Sequence, residues 1–324
     1  MRASQLTLTR DKYLADPDVA GFVRFFREHL HTAPFAHSYF HYDSGKQWSC
    51  VSLADAAAKY EWRVKEVFRD PLGLAGNSQM PDDYRSNAIV LSSLQKQLRE
   101  AYCDGDAVRL EEVGQEIFVW GGTLKRNPGR LSALNTQRGG LKAYLTFCYI
   151  AFGAGEALNL PVFRNRGLVS NAGFTKIYSL HFSDFVIYDS RVAAALSLFV
   201  LLYCAATGKA GVPENLSFPC MPPQTYKRKS GAPRRPSRRN PSASDISGNE
   251  WKFPSCNNSH ERHILGNVRA NWLLTSAIAD DPNPGQNRFI AGYGLAALRA
   301  VEAALFMVGY DLENAALPHG VSWR

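Results

Sequence analysis

The run from Val192 to Ala206, VAAALSLFVLLYCAA, carries no charged side chain. It is shorter than the roughly 20 residues needed to cross a bilayer. Apolar on every side, it predicts a helix enclosed by the rest of a folded core. Asp189 is a good N-cap for it. Upstream, Asn171 caps a second helical pattern running to about Phe182, with Phe174, Ile177, Tyr178 and His181 at i, i+3, i+4 and i+7. Between them Ser183 to Tyr188 alternates like a strand. The expected centre is therefore two helices joined by a short extended return.

That arrangement constrains two charged residues. From Lys176 to Phe182 the chain climbs roughly 9 Å at 1.5 Å per residue. The extended joint returns up to about 20 Å. Asp189 can thus lie beside Lys176, its carboxylate held ionised by the positive end of its helix. An ionised carboxylate next to an amine is a usable catalytic pair, although an N-cap and a salt bridge or phosphate contact are simpler roles for the same two residues.

A lysine-bearing helix, a short return, and Tyr188-Asp189-Ser190-Arg191-Val192 opening a buried helix resemble the core of the helix-hairpin-helix DNA glycosylases, in particular the bacterial 8-oxoguanine-glycosylase-like proteins. The resemblance implies a mainly α fold, Asp189 as the essential acid, and Lys176 in the place of the nucleophile found in bifunctional members. It covers Asn171 to Leu202 well and, more loosely, Trp120 to the C-terminus. The sequence departs from the pattern in having Gly173-Phe174-Thr175-Lys176 in place of a Gly-x-Gly hairpin, with a shortened interval to the aspartate. Water directed by Asp189 is therefore the expected attacking group.

Around this centre, residues 1–82 read as a small α+β addition packed on the core. Pro17 to Leu30 has helical spacing, Tyr39–His41 and Trp48–Val51 form a hairpin, and Ser52 to Phe68 is a helix. Residues 83–324 read as the helical glycosylase-like domain. Its expected helices are Tyr84 to Tyr102, Asp106 to Val119, Gly140 to Leu158, Glu261 to Ile278 and Arg288 to Val308, the last with Leu295, Leu298, Val301, Leu305 and Val308 on its buried face. A Pro-rich, basic insertion at 208–260, expected to be flexible, interrupts them.

Charge and cysteines narrow the class. The net charge is +8, yet Lys227, Arg228, Lys229, Arg234, Arg235, Arg238 and Arg239 supply nearly all of it. This cluster is either a phosphate-binding segment or a solvated linker. Lys125 and Arg126, after the Trp120-Gly121-Gly122 helix stop, are a second phosphate candidate, and Arg191 either binds phosphate or pairs with an acid. The six cysteines are widely spaced, predicting reduced thiols and a cytoplasmic location, with Cys220 and Cys256 at the surface. The first residues lack the apolar stretch of a secretory signal.

An extruded base needs flat walls. Trp120, Tyr178, His181, Tyr188 and Trp272 are candidates, although aromatics at helical spacing are more often core. His260 and His263 lack metal-ligand spacing, and neither a Walker A motif nor G-x-G-x-x-G or G-x-S-x-G occurs. No metal or cofactor is expected. The expectation is a monomeric, non-membrane DNA glycosylase acting on double-stranded DNA. Its substrate is an oxidised purine or a phage-modified cytosine such as glucosylated hydroxymethylcytosine. A non-catalytic DNA-binding protein on the same fold is the alternative.

Overall fold

A computed structural model describes residues 7–42, 44–68, 81–222 and 237–324. Helices make up 57% of it, with a few small sheets, so the fold is mainly α. In chain order the elements begin with β1 (Thr7–Thr9), α1 (Arg10–Leu14), α2 (Pro17–His31), β2 (His37–His41), β3 (Lys46–Cys50) and α3 (Leu53–Ala58). Next come α4 (Tyr84–Asp104), α5 (Ala107–Trp120), α6 (Asn127–Asn135), α7 (Gly140–Ala151), β4 (Ala157–Asn159), α8 (Leu160–Asn165), α9 (Phe174–His181) and α10 (Ser190–Ala206). The chain closes with β5 (Ala243–Asp245), β6 (Glu250–Trp251), α11 (His260–Ala279), α12 (Arg288–Tyr293), α13 (Ala297–Val308) and β7 (Val321–Trp323).

The apolar run forms the central helix α10, in which every residue from Val192 to Leu201 is buried. The N-terminal region packs directly on it. Phe26 and Phe35 of that region meet the Phe199 ring at 5.3 and 4.8 Å, and Phe22 meets Tyr203 at 5.7 Å. Arg27 of α2 donates to the carbonyls of Ser276 (2.7 Å) and Ala277 (3.2 Å), satisfying acceptors in the last turn of α11. The expected hairpin is present, with Tyr39 opposite Trp48, and the Tyr39 ring stacks on Trp48 at 4.7 Å and on Tyr310 at 4.8 Å.

Several expectations are corrected. Ser183 to Tyr188 is not a strand. Side chains take its amides: Val186 donates to Asn271 Oδ1, Ile187 to Glu302 Oε2 and Tyr188 to Thr175 Oγ1, at 3.0, 2.6 and 3.0 Å. The helix from Ser52 ends at Ala58, and beyond it the Trp62 amide pairs with the Asp82 carbonyl. The Gly140 helix stops at Ala151, before Gly153 and Gly155, which take positive φ. Residues 288–308 are apolar enough in composition to span a membrane, but they break at Gly294 (φ 53°). That break rotates Leu295 off the buried face, leaving it fully exposed, while α13 packs into the core. The basic loop at Lys125 is short, because α6 begins at Asn127 with Pro128 in its first turn.

Part of the expected flexible insertion is built into the fold. β5 pairs antiparallel with both β6 and β7, and Trp251 is buried. Cys220 and Cys256 are buried, not exposed, because their backbones pair with Pro254 and with each other; Cys103 is the exposed cysteine.

Candidate active site

Two local devices set the floor of the site. Asn171 Oδ1 accepts from the amides of Gly173 (2.8 Å) and Phe174 (3.1 Å), turning the chain into α9. Lys176 lies in the first turn and is only 5% exposed. Asp189 Oδ1 accepts from the amides of Arg191 (2.9 Å) and Val192 (3.1 Å), capping α10. Its other oxygen, Oδ2, lies 3.9 Å from Lys176 Nζ, which also donates to the Ala172 carbonyl at 2.8 Å. Burial pushes the Lys176 amine below its usual range, and the charges of Asp189 and Glu302 only partly oppose this. The lysine stem passes over Gly121, where a Cβ would stand 2.3 Å from Lys176 Cδ. The helix-stop glycine therefore also makes room for the amine.

Above this pair opens a cleft of about 560 Å³, counting its mouth. Its walls come from distant parts of the chain. The Trp62 indole donates to the Trp120 carbonyl (2.9 Å), the Trp120 indole donates to Asn87 Oδ1 (3.0 Å), and Asn87 Nδ2 donates to the Trp62 carbonyl (2.9 Å). This closed ring of bonds braces two indoles side by side. Phe306 meets the Trp62 ring edge-on at 5.4 Å, and Tyr60 and Tyr84 extend the aromatic wall. Sequence reasoning missed all of these except Trp120. Their separation along the chain leaves no local signal.

A second carboxylate, also missed, lines the cleft. Glu302 is buried on α13, and its Oε2 accepts from the Ile187 amide (2.6 Å) and from Arg299 Nη1 (2.5 Å). Arg299 also donates to the carbonyls of Ser179 (2.9 Å) and Phe185 (3.3 Å), fastening the return segment that carries Asp189. Burial raises the Glu302 carboxyl above the usual range, more than Arg299 lowers it.

Of the expected site residues, Lys176, Asp189 and Trp120 come together in the cleft. The other four aromatics do not line it. The Tyr178 hydroxyl bonds to Tyr144 (2.6 Å) and to the Val169 carbonyl within the core. Tyr188 donates to the Pro219 carbonyl (3.0 Å), and Trp272 donates to that of Gly155. His181 packs against Tyr102 at 4.4 Å, and burial lowers it to about 4. Tyr178, His181 and Trp272 lie on helix faces turned toward packing partners, and Tyr188 lies in the return segment with its ring buried.

The cationic candidates divide similarly. Arg191 places its guanidinium over the rings of Phe306 (4.3 Å), Tyr310 (4.7 Å) and Trp62 (5.5 Å), behind the aromatic wall. Arg238 pairs with Glu313 at 2.7 Å. Arg239 donates to Ser190 Oγ and the Tyr310 carbonyl, and burial lowers it to about 10. These two arginines knit the C-terminal segment to the start of α10. Lys125 and Arg126 are exposed just after the Gly121-Gly122 turn, with Arg126 at φ 68°. Lys227, Arg228, Lys229, Arg234 and Arg235 lie outside the described residues.

Compared with protein-family models, with curated proteins and with solved structures, the chain matches none.

Proposed function

We propose that the protein is a DNA glycosylase of the helix-hairpin-helix kind that extrudes a modified base into the aromatic cleft and releases it. The observation that carries this reading is the Lys176–Asp189 pair, 3.9 Å apart, at the floor of a cleft walled by indole and phenol rings. Breaking the bond between C1′ and the base nitrogen leaves the electron pair on the base and builds positive charge on the sugar. A fixed carboxylate stabilises that charge. The departing base takes a proton from solvent. Water then adds to C1′ and gives its proton to Asp189, or the Lys176 amine adds, gives its proton to Asp189, and opening of the C1′–O4′ bond leaves a Schiff base. Burial of Lys176, which favours the neutral amine, supports the second route more than the sequence alone does.

The working substrate is double-stranded DNA, with Lys125 and Arg126 on phosphates near the turn that closes the cleft. A monomer in the cytoplasm, without metal or cofactor, remains part of the proposal. The test is abasic-site formation on undamaged, oxidised and phage-modified duplexes. Release from one modified class supports the reading, and intact DNA of every class overturns it. Borohydride trapping separates the routes, since only amine attack yields a covalent adduct that Lys176→Gln abolishes.

A further inference from the structure

Two polar atoms on residues that line the cleft carry no hydrogen bond among the described residues, the Tyr84 hydroxyl and Glu302 Oε1, and neither belongs to the pair assigned to bond cleavage. Tyr84 lines the cleft, and its hydroxyl, shielded from solvent, receives and donates no hydrogen bond. Glu302 is 6% exposed, and both of its hydrogen bonds fall on Oε2, leaving Oε1 uncommitted. Buried polar groups are almost always satisfied, and one left open in a cleft costs stability unless something binds there. Arg299 and the Ile187 amide fix the Glu302 carboxylate, so Oε1 is a rigid acceptor. The Tyr293 ring, 5.0 Å away and edge-on, and the Tyr60 ring hold Tyr84.

We propose that Tyr84 Oη and Glu302 Oε1 form the edge that reads the ligand, and that this edge selects a flat heterocycle bearing a lactam, an N–H beside a carbonyl. The carboxylate oxygen takes the N–H, and the phenol donates to the carbonyl. A lactam N–H is a more polar donor than an aromatic amine, which suits a charged acceptor. The neighbouring aromatic rings supply the stacking faces such a ring requires. A ligand lacking the N–H leaves a buried carboxylate oxygen facing its ring, which is unfavourable. The inference rests on the glycosylase reading for the ligand's being a nucleobase, but not for the hydrogen-bonding edge itself.

Tyr84→Phe is the sharpest test, because the hydroxyl makes no bond in the free protein. Its removal is expected to leave the thermal midpoint unchanged or raised, while weakening ligand binding about tenfold. The probes are free hypoxanthine, which carries the lactam, and its N1-methyl derivative, which has lost the donor. Calorimetric titration is expected to show hypoxanthine binding to the wild-type protein, much weaker binding of the methylated base, and about tenfold weaker hypoxanthine binding to Tyr84→Phe. Equal binding of the two bases, equal binding by the two proteins, or no hypoxanthine binding at all overturns the assignment. Hypoxanthine binding by a protein that forms no abasic sites in DNA would keep the reading edge and remove the glycosylase.

Discussion

Lys176 and Asp189, on the floor of the cleft, are near neighbours in sequence, whereas its walls draw on Tyr60, Trp62, Asn87, Trp120 and Phe306. Floor and walls meet in one cleft, but different kinds of interaction hold them. The floor follows from two helix caps and the length of chain between them. The walls depend on bonds such as those among Trp62, Asn87 and Trp120, which exist only once the N-terminal region has docked. The difference teaches that two charged groups can be brought together by local chain geometry while the cavity above them is specified by the whole fold.

The strongest way to break the comparison is on the floor. Asp189→Asn is expected to lower base release by about a thousandfold. An Asn side chain caps a helix about as well as Asp, so the protein should still fold, with a thermal midpoint lowered only by loss of the charge facing Lys176. Unaltered single-turnover rates would remove Asp189 from the chemistry. Where floor meets wall, Gly121→Ala pushes a methyl into the Lys176 stem, 2.3 Å from Cδ. Displacing the amine by about 1 Å is expected to cost roughly a hundredfold in adduct formation or base release. Retained activity would show that the exact path of the stem is unimportant.

A smaller effect should arise beneath the floor. His263 bonds to Ser170 Oγ at 2.7 Å and packs under the Tyr188 ring, and burial pushes it down to about 3. The unfolded chain therefore binds more protons than the folded one between that value and the ordinary histidine range near 6.5. Stability from this group is complete above about pH 6.5 and falls as the pH drops. Unfolding midpoints measured from pH 7.5 to 4.5 should decline less steeply for His263→Gln than for the wild type, and parallel curves would refute the assignment.

The smallest effect on the cleft itself is expected from the basic cluster. Neutralising Lys227, Arg228, Lys229, Arg234 and Arg235 should weaken binding to all DNA sequences alike and reduce its salt dependence by up to about four or five counterions. An unchanged salt slope would make the segment a linker. Arg238 and Arg239 belong to a different experiment, because their bonds to Glu313 and Ser190 make their removal a test of folding.

The mainly helical class, the buried α10 and the approach of Lys176 to Asp189 were legible because each follows from spacing, caps and chain length. Glu302 was not, since its sequence neighbours mark only an apolar helix and its role depends on the Ile187 amide and Arg299. Tyr178, Tyr188 and Trp272 misled for the converse reason. A hydroxyl or indole N–H that finds a carbonyl inside the core looks the same in sequence as one that faces a ligand. The strand-like reading of residues 183–188 failed because Phe185 to Tyr188 are all buried and side chains, not a second strand, accept from the amides of Val186, Ile187 and Tyr188.

The two oxygens of Asp189 make different contacts. Oδ1 closes the first turn of α10, a service to folding that any descendant of this chain still needs, while Oδ2 faces Lys176. Lys176 caps no helix, the one hydrogen bond of its amine is to the Ala172 carbonyl, and that buried amine is a burden on the folded state whenever it is charged. In a lineage that gave up base release, Lys176 should drift first, to a neutral side chain of similar length, and Asp189 should outlast it. The order in which the two positions decay would record the loss of chemistry separately from the persistence of the fold.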